Sequence, residues 1–305
     1  MTACLVLGGA GFLGSTLVRE LLKLDAAVTV FDLPGREPSR PFGQDVRRLS
    51  GDMTSAEDVR RAVDGQDCVF HFAWPSTPAT SLDNPGREAS HGLQPSLSIL
   101  EACLSRGARK VIFPSSGTVY GPWRGAPFRE SDQTEPRTPY AEAKLKVEES
   151  LRHYESKGLA YAVLRPGSTY GPGQNPLAGL GAPTVFLHRC LTGQPLRIYG
   201  RGEVVRDFTF GRDIVRCAVQ VLSLPGSQVV NVSTQIGTSL LVLAEKCFRL
   251  TGRTVPVEFQ PPRVSDLDNL VIDNSRERDI FGVQATPLEE GLELTLRWLR
   301  SRQAG

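Results

Sequence analysis

Leu5-Val6-Leu7-Gly8-Gly9-Ala10-Gly11-Phe12-Leu13-Gly14 decides the fold of this chain. An apolar run ends in glycines at Gly8, Gly11 and Gly14, and a helical pattern follows. The order is strand, tight turn, helix. Such a turn lets the backbone approach a pyrophosphate closely, and the helix N-terminus behind it favours the anion. The context, after a first strand and before a helix, separates a dinucleotide site from an ordinary glycine turn.

Outward from that turn the first half alternates short β-branched runs with helical patterns. Strands are expected at 2–7, 27–32, 46–51, 67–73, 110–115 and 160–165, and helices at 12–24, 55–63, 90–105 and 138–156. Strands alternating with helices argue an α/β fold, a Rossmann-type doubly wound parallel sheet covered on both faces. After Pro166 the texture changes. Glycine and proline crowd 167–183, which reads as irregular chain over a cleft. Short helices are expected at 185–192, 213–222 and 240–250, a strand at 228–232 and a closing amphipathic helix at 287–302. The chain thus leaves the sheet and returns to it. A large lobe of 1–168 plus about 208–235 is expected, with a smaller, discontinuous C-terminal substrate lobe of about 169–207 plus 236–305.

Composition bounds the class. The 305 residues are 40% hydrophobic and 22% charged, with a formal net charge of +2. That is ordinary for a globular chain and gives no reason to expect nucleic acid or a membrane surface. No apolar run is long enough to span a bilayer. The N-terminus enters a strand at once, with no basic leader, so a cytoplasmic protein is expected. Six scattered cysteines, none in a Cys-x-x-Cys pair, read as buried free thiols. The four histidines are dispersed, and no metal site is expected.

Asp32 ends the second strand, 18 residues past Gly14. A carboxylate there accepts hydrogen bonds from ribose hydroxyls and repels a 2′-phosphate, which favours NAD over NADP. Arg36 and Arg40 lie near enough to soften that preference. Asp52, in Gly51-Asp52-Met53, has two readings: contact with adenine, or capping of the helix that starts near Ser55.

Tyr140-Ala-Glu-Ala-Lys144 places a phenol and an ammonium on one face of a helix. A cation that close favours phenolate and lowers a phenol from its ordinary pKa of about 10. Alone, the spacing is common on solvated helices. Its meaning depends on the motifs around it.

Those motifs occur in order: the glycine turn at 8–14, Ser115-Ser116-Gly117-Thr118-Val119-Tyr120-Gly121, Tyr140-x-x-x-Lys144, and Arg165-Pro166-Gly167-Ser168-Thr169-Tyr170-Gly171-Pro172-Gly173. Together they resemble the extended short-chain dehydrogenase/reductase family, most closely its UDP-glucose 4-epimerase-like nucleotide-sugar branch. Val205-Arg206-Asp207-Phe208-Thr209 and Pro262-Arg263-Val264-Ser265-Asp266 look like that branch's diphosphate contacts, and Leu288-Glu289-Glu290-Gly291-Leu292 like the start of its C-terminal helix.

The resemblance implies Tyr140 as general base and acid, and Ser116 as the hydrogen-bond partner of the reacting hydroxyl. Lys144 would hold the nicotinamide ribose and lower the Tyr140 pKa. Thr118 is a second polar contact to the sugar. Gly8, Gly11, Phe12, Leu13, Gly14, Asp32, Asp52, Met53, Ala73, Tyr140, Lys144 and Pro166 are the candidate NAD-binding residues. Trp74, Thr118, Ser168, Asn175, Arg206 and Arg263 are the candidate contacts to a nucleotide-diphosphate sugar. Trp74 is open between lining the pocket and filling core. A homodimer through the helices at 90–105 and 138–156 is implied.

Sugar dehydratases of this superfamily carry Asp-Glu where this chain has Gly117-Thr118, and decarboxylases carry Glu just before Val-Tyr-Gly. The carboxylate-free pair resembles the epimerase pattern. It implies oxidation at a sugar carbon, C4 first, to a keto sugar held on the enzyme, and return of the hydride to the other face. A 4-keto-sugar reductase using NAD(P)H is the alternative; a non-catalytic NAD-binding regulatory protein is a further one, disfavoured by the presence of both Tyr140 and Lys144. The chain departs from the branch at Gly92, where an Asn is usual, at Gly167-Ser168, where x-Asn follows Arg-Pro, and at Ser265, where Gly is usual. These departures bear on the substrate pocket.

Overall fold

The computed structural model describes residues 2–43, 46–262, 269–282 and 284–303. Six strands come first: β1 (Ala3–Leu7), β2 (Ala27–Asp32), β3 (Arg47–Ser50), β4 (Cys68–His71), β5 (Lys110–Pro114) and β6 (Ala160–Pro166). Seven follow: β7 (Ser168–Tyr170), β8 (Leu196–Tyr199), β9 (Val205–Phe210), β10 (Gln228–Val232), β11 (Gly237–Ser239), β12 (Val257–Gln260) and β13 (Asn269–Leu270). A seven-stranded sheet runs β10-β6-β5-β4-β1-β2-β3 with every neighbouring pair parallel. From β1 the chain winds outward to β2 and β3, then crosses back to β4 on the other side. Ligands bind outside the carboxyl ends of strands at such a reversal.

The sheet is buried on both faces, which explains its nearly continuous apolar strands. Alternation along β1 divides the core. Cys4 and Val6 pack with Leu17, Phe70, Ile112 and Ile214. Leu5 and Leu7 pack with Val69, Ile99, Val111 and Val147. Each such Leu or Ile is fully buried and is worth about 1.5–3 kcal/mol of transfer free energy.

Local chemistry sets the helix ends. The Ser55 hydroxyl accepts the Asp58 N–H and opens Ala56–Val63. Thr138 caps Pro139–Glu155 by accepting the Ala141 N–H, with Pro139 in the first turn, where its missing N–H costs nothing. The helix expected at 90–105 is two pieces, a π turn at Glu88–Leu93 and then Gln94–Ser105. Pro95 gives the reason, since a proline cannot bond to the carbonyl four residues back.

Chain expected to be irregular at 167–183 contains β7, which pairs with β9, and β9 also pairs with β11 and β13. Residues 208–210, expected with the large lobe, therefore close the second sheet. Beneath it lies a separate core of Phe186, Leu187, Ile198, Phe208, Leu243 and Leu296. The strand foreseen at 228–232 is β10, which returns to the large sheet beside β6, with Val230 opposite Leu164. The Ser275–Phe281 helix was not foreseen. All six cysteines are buried and free. Among the described residues no helix is long and apolar enough to cross a membrane.

Candidate active site

A cleft of about 530 Å³ opens at the carboxyl ends of β1, β4, β5 and β6 and is closed from above by the second core. Beside it lies the glycine turn, which reaches the cleft through Phe12 and Leu13. Gly8 has φ +80°, a conformation that side chains resist. A Cβ on Gly14 would stand 2.1 Å from the Gly8 carbonyl oxygen, so the Phe12–Leu21 helix can begin this close to the turn only with glycine there. Phe12 and Leu13 line the cleft, and Ala73 packs directly on Gly8. The residues present thus fit a dinucleotide: a cradle that a Cβ would fill, behind it a helix N-terminus.

Asp32 takes the Ala10 N–H at 2.9 Å and the Leu33 N–H at 3.0 Å, so it braces the turn as well as facing outward. Arg36, itself exposed, lies 3.7 Å from Asp32 Oδ1. Asp52 does not cap the helix, because Ser55 does. Asp52 instead accepts the Thr54 N–H and holds the bend before it, exposed. Met53 packs against the Leu5 side of the core.

At the end of β5 the Ser116 hydroxyl lies 2.9 Å from that of Thr118 and accepts the Thr118 N–H, capping a short 3-10 turn, Gly117–Tyr120. Tyr140 faces the same turn, and both hydroxyls and the phenol are partly open to the cleft. Contrary to the lowering expected from Lys144, burial and the charge of Glu88 push the Tyr140 phenol up, while a hydrogen bond from Ser116 acts against that rise. Lys144 is buried, donates to the Pro114 carbonyl at 2.9 Å, and lies 3.9 Å from the Trp74 ring centre. Burial pushes its ammonium down to about 7, with Glu88 and Glu148 opposing. Trp74 both lines the cleft and packs on Phe113, with an edge-to-face contact to Tyr140.

Part of the cleft lining is basic. Arg206 lines the cleft, joined by Tyr199 and by Arg189 and Arg197, whose isolated positions carry no spacing signal in the sequence. Pro166 and Ser168 also line it. Asn175, expected at the sugar, sits instead on an exposed turn where its own Oδ1 accepts the Leu177 N–H; Gln174 beside it faces the cleft. Arg263 lies outside the described residues.

Fold and constellation together define an extended short-chain dehydrogenase/reductase. The chain belongs to the NAD dependent epimerase/dehydratase family, whose model matches residues 4–237. It is similar to a UDP-glucose 4-epimerase of Mycolicibacterium smegmatis, 31% identical over 98% of each chain. It is also similar to the solved UDP-glucose 4-epimerase of Thermotoga maritima with UDP-glucose (TM-score 0.94, 31% identity, 99% of this chain and 100% of that one). A third likeness is to the Thermus thermophilus UDP-glucose 4-epimerase in complex with NAD (TM-score 0.92, 29% identity, 98% and 99%).

Proposed function

We propose that this chain is an NAD-dependent nucleotide-sugar epimerase that inverts C4 of a UDP-hexose. One observation carries the reading: Ser116, Thr118, Tyr140 and Lys144 converge on one cleft beside a turn with no carboxylate. A side chain at position 117 would crowd the turn, because a Cβ there would stand 2.2 Å from Ile272 Cδ1. Sugar dehydratases of the superfamily that the chain resembles carry Asp-Glu at this turn, whereas oxidation and reduction at one carbon use a single acid–base group.

Bound NAD would be held by the glycine turn, Asp32, Tyr140 and Lys144, and would supply the hydride acceptor and donor. The chain does the rest. Ser116 and Thr118 hold the reacting hydroxyl. Tyr140, as phenolate, takes its proton while Lys144 stabilises the negative oxygen. The ketone turns over in the cleft, and Tyr140 returns the proton to O4 once the other face of C4 is presented. Protons and electrons balance within one cycle. Arg206 and Arg263 would clamp the diphosphate, a geometry guanidinium groups suit. The names of the similar proteins support a UDP-hexose as substrate.

The test is interconversion of UDP-glucose with UDP-galactose, and of their N-acetyl forms, against NADH consumption with 4-keto sugars. Interconversion without net NADH change is the expected result. Stoichiometric NADH loss with the keto sugar alone would make the chain a reductase.

A further inference from the structure

Glu88 is a buried carboxylate that the mechanism above does not use. It sits in the π turn at Glu88–Leu93 and is only 2% exposed. Its Oε2 accepts the Trp74 indole N–H at 3.1 Å, and its Oε1 has no partner. Among the described residues, no lysine or arginine nitrogen lies within 4.0 Å of it. A buried carboxylate without a cation is costly unless something nearby uses its charge.

The same indole connects it to the catalytic lysine. Lys144 stands over the Trp74 ring at 3.9 Å and over the Phe113 ring at 4.5 Å. Trp74 therefore touches both groups, with its N–H on the carboxylate and its face on the ammonium, where an ammonium is attracted to the ring quadrupole. Gly92 makes the arrangement possible. A Cβ there would already lie 3.0 Å from Trp74 Cζ2, so any larger side chain would displace the indole.

The other charged and titratable groups around Lys144 are accounted for. Glu148, one turn along the same helix, is taken by Arg165 through three contacts of 2.6–3.2 Å, with Arg152 at 3.9 Å. His71, at the end of β4, bonds Ser96 at 2.7 Å, and burial followed by the Lys144 charge pushes it down to about 3, so it is neutral. Tyr140 is the remaining neighbour on the helix. Glu88 is the negative group left without a cation of its own.

We propose that Glu88 is a positioning residue for the catalytic pair, acting through the Trp74 indole to keep the Lys144 ammonium charged and in place beneath Tyr140. This rests on the catalytic reading of Tyr140 and Lys144 given above. Burial works against the Lys144 cation, and the Glu88 charge offsets part of that effect.

The test is Glu88→Gln, which keeps the shape and an acceptor for the indole and removes only the charge. In the protein without nucleotide, NMR of carbon-labelled lysine follows the protonation of Lys144, assigned by loss of its signal in Lys144→Met. The midpoint is expected to fall by about one pH unit. In the enzyme with NAD and sugar, both limbs of the pH–rate profile should move to lower pH, because the charge acts on Tyr140 and Lys144 alike. A midpoint and limbs that stay where they are, with activity merely reduced, would show a packing role and overturn the proposal. If Glu88→Gln does not fold, Trp74→Phe keeps a ring and deletes the N–H. Its Lys144 midpoint is expected to fall in the same direction, since the link to Glu88 is cut; an unchanged midpoint overturns the proposal. A wild-type chain inactive on every nucleotide sugar would instead remove the proposed function, and the NMR midpoint would still decide the role of Glu88.

Discussion

Gly117 and Ile272 are packed so closely that a methyl group on the glycine would meet the isoleucine Cδ1 at 2.2 Å, with the Pro166 carbonyl 3.0 Å away on the other side. Ile272 is fully buried with Tyr120 and Phe128, whose rings stack at 4.9 Å. The turn that carries Ser116 is thus wedged against the segment returning from the second lobe. Gly117→Ala should destabilise the fold by about 1–3 kcal/mol through overpacking. Urea unfolding checks this, and Gly117→Ala with Ile272→Val should recover part of the loss. If Gly117→Ala is neutral, the packing account of the carboxylate-free turn is wrong.

Tyr140→Phe removes one oxygen from a helix whose other contacts stay. The expected loss in kcat is roughly 10²–10⁴-fold, the usual range for a missing acid–base group. Binding of NAD, followed by calorimetry, should survive, because the glycine turn and Asp32 are untouched. A variant with near-normal turnover would remove Tyr140 from the proton path.

Glu148 and Arg165 form a buried pair, 1% and 2% exposed, that ties the Pro139–Glu155 helix to β6. Tyr120 accepts from the same guanidinium at 3.1 Å and donates to Asn231 at 2.6 Å. Glu148→Ala leaves the arginine buried and unpaired and should cost about 3–5 kcal/mol. Replacing both partners with leucine should cost less than Glu148→Ala alone. Denaturant midpoints of the single and double variants measure this, and additive losses would contradict coupling.

Stability should depend on pH through Glu277. Burial pushes its carboxyl from 4.5 up to about 7, against hydrogen bonds from the Ser233 N–H and the Cys217 thiol. The folded state therefore holds a proton that the unfolded chain releases between those values. This contribution favours folding below pH 4.5 and is lost as pH rises through 7. Asp207, raised from 3.8 to about 6, acts in the same direction. Glu277→Gln should flatten the stability–pH curve over that window by up to roughly 3 kcal/mol. Chemical denaturation at a series of pH values decides it, and an unchanged slope would rule this group out.

The large sheet was legible in the sequence because its strands are apolar, separated by capped helices and opened by a glycine turn that allows few alternatives. Ser116, Tyr140 and Lys144 were legible as ordered motifs, and the structure brings them to one cleft. The smaller sheets, the one around β9 and the β8–β12 pair, were not. β8 alternates over only four residues, Leu196-Arg197-Ile198-Tyr199, too few for a period to show. Ser275–Phe281 is mostly polar and has no apolar stripe to mark it. Glu88 was hidden for another reason. A lone acid before a helix reads as solvated, and only the wider turn before Pro95 shows it buried against Trp74. That contact also answers the question the sequence left at Trp74, which serves the core and the cleft together.

The central claim is that one hydride leaves and returns to the same sugar carbon while Tyr140 moves one proton. UDP-galactose deuterated at C4, incubated with the chain and NAD, tests it directly by mass spectrometry of the UDP-glucose formed. The account predicts product that keeps its deuterium at C4, with no net change in NADH. Deuterium lost to free cofactor, or NADH accumulating as UDP-galactose disappears, would contradict it.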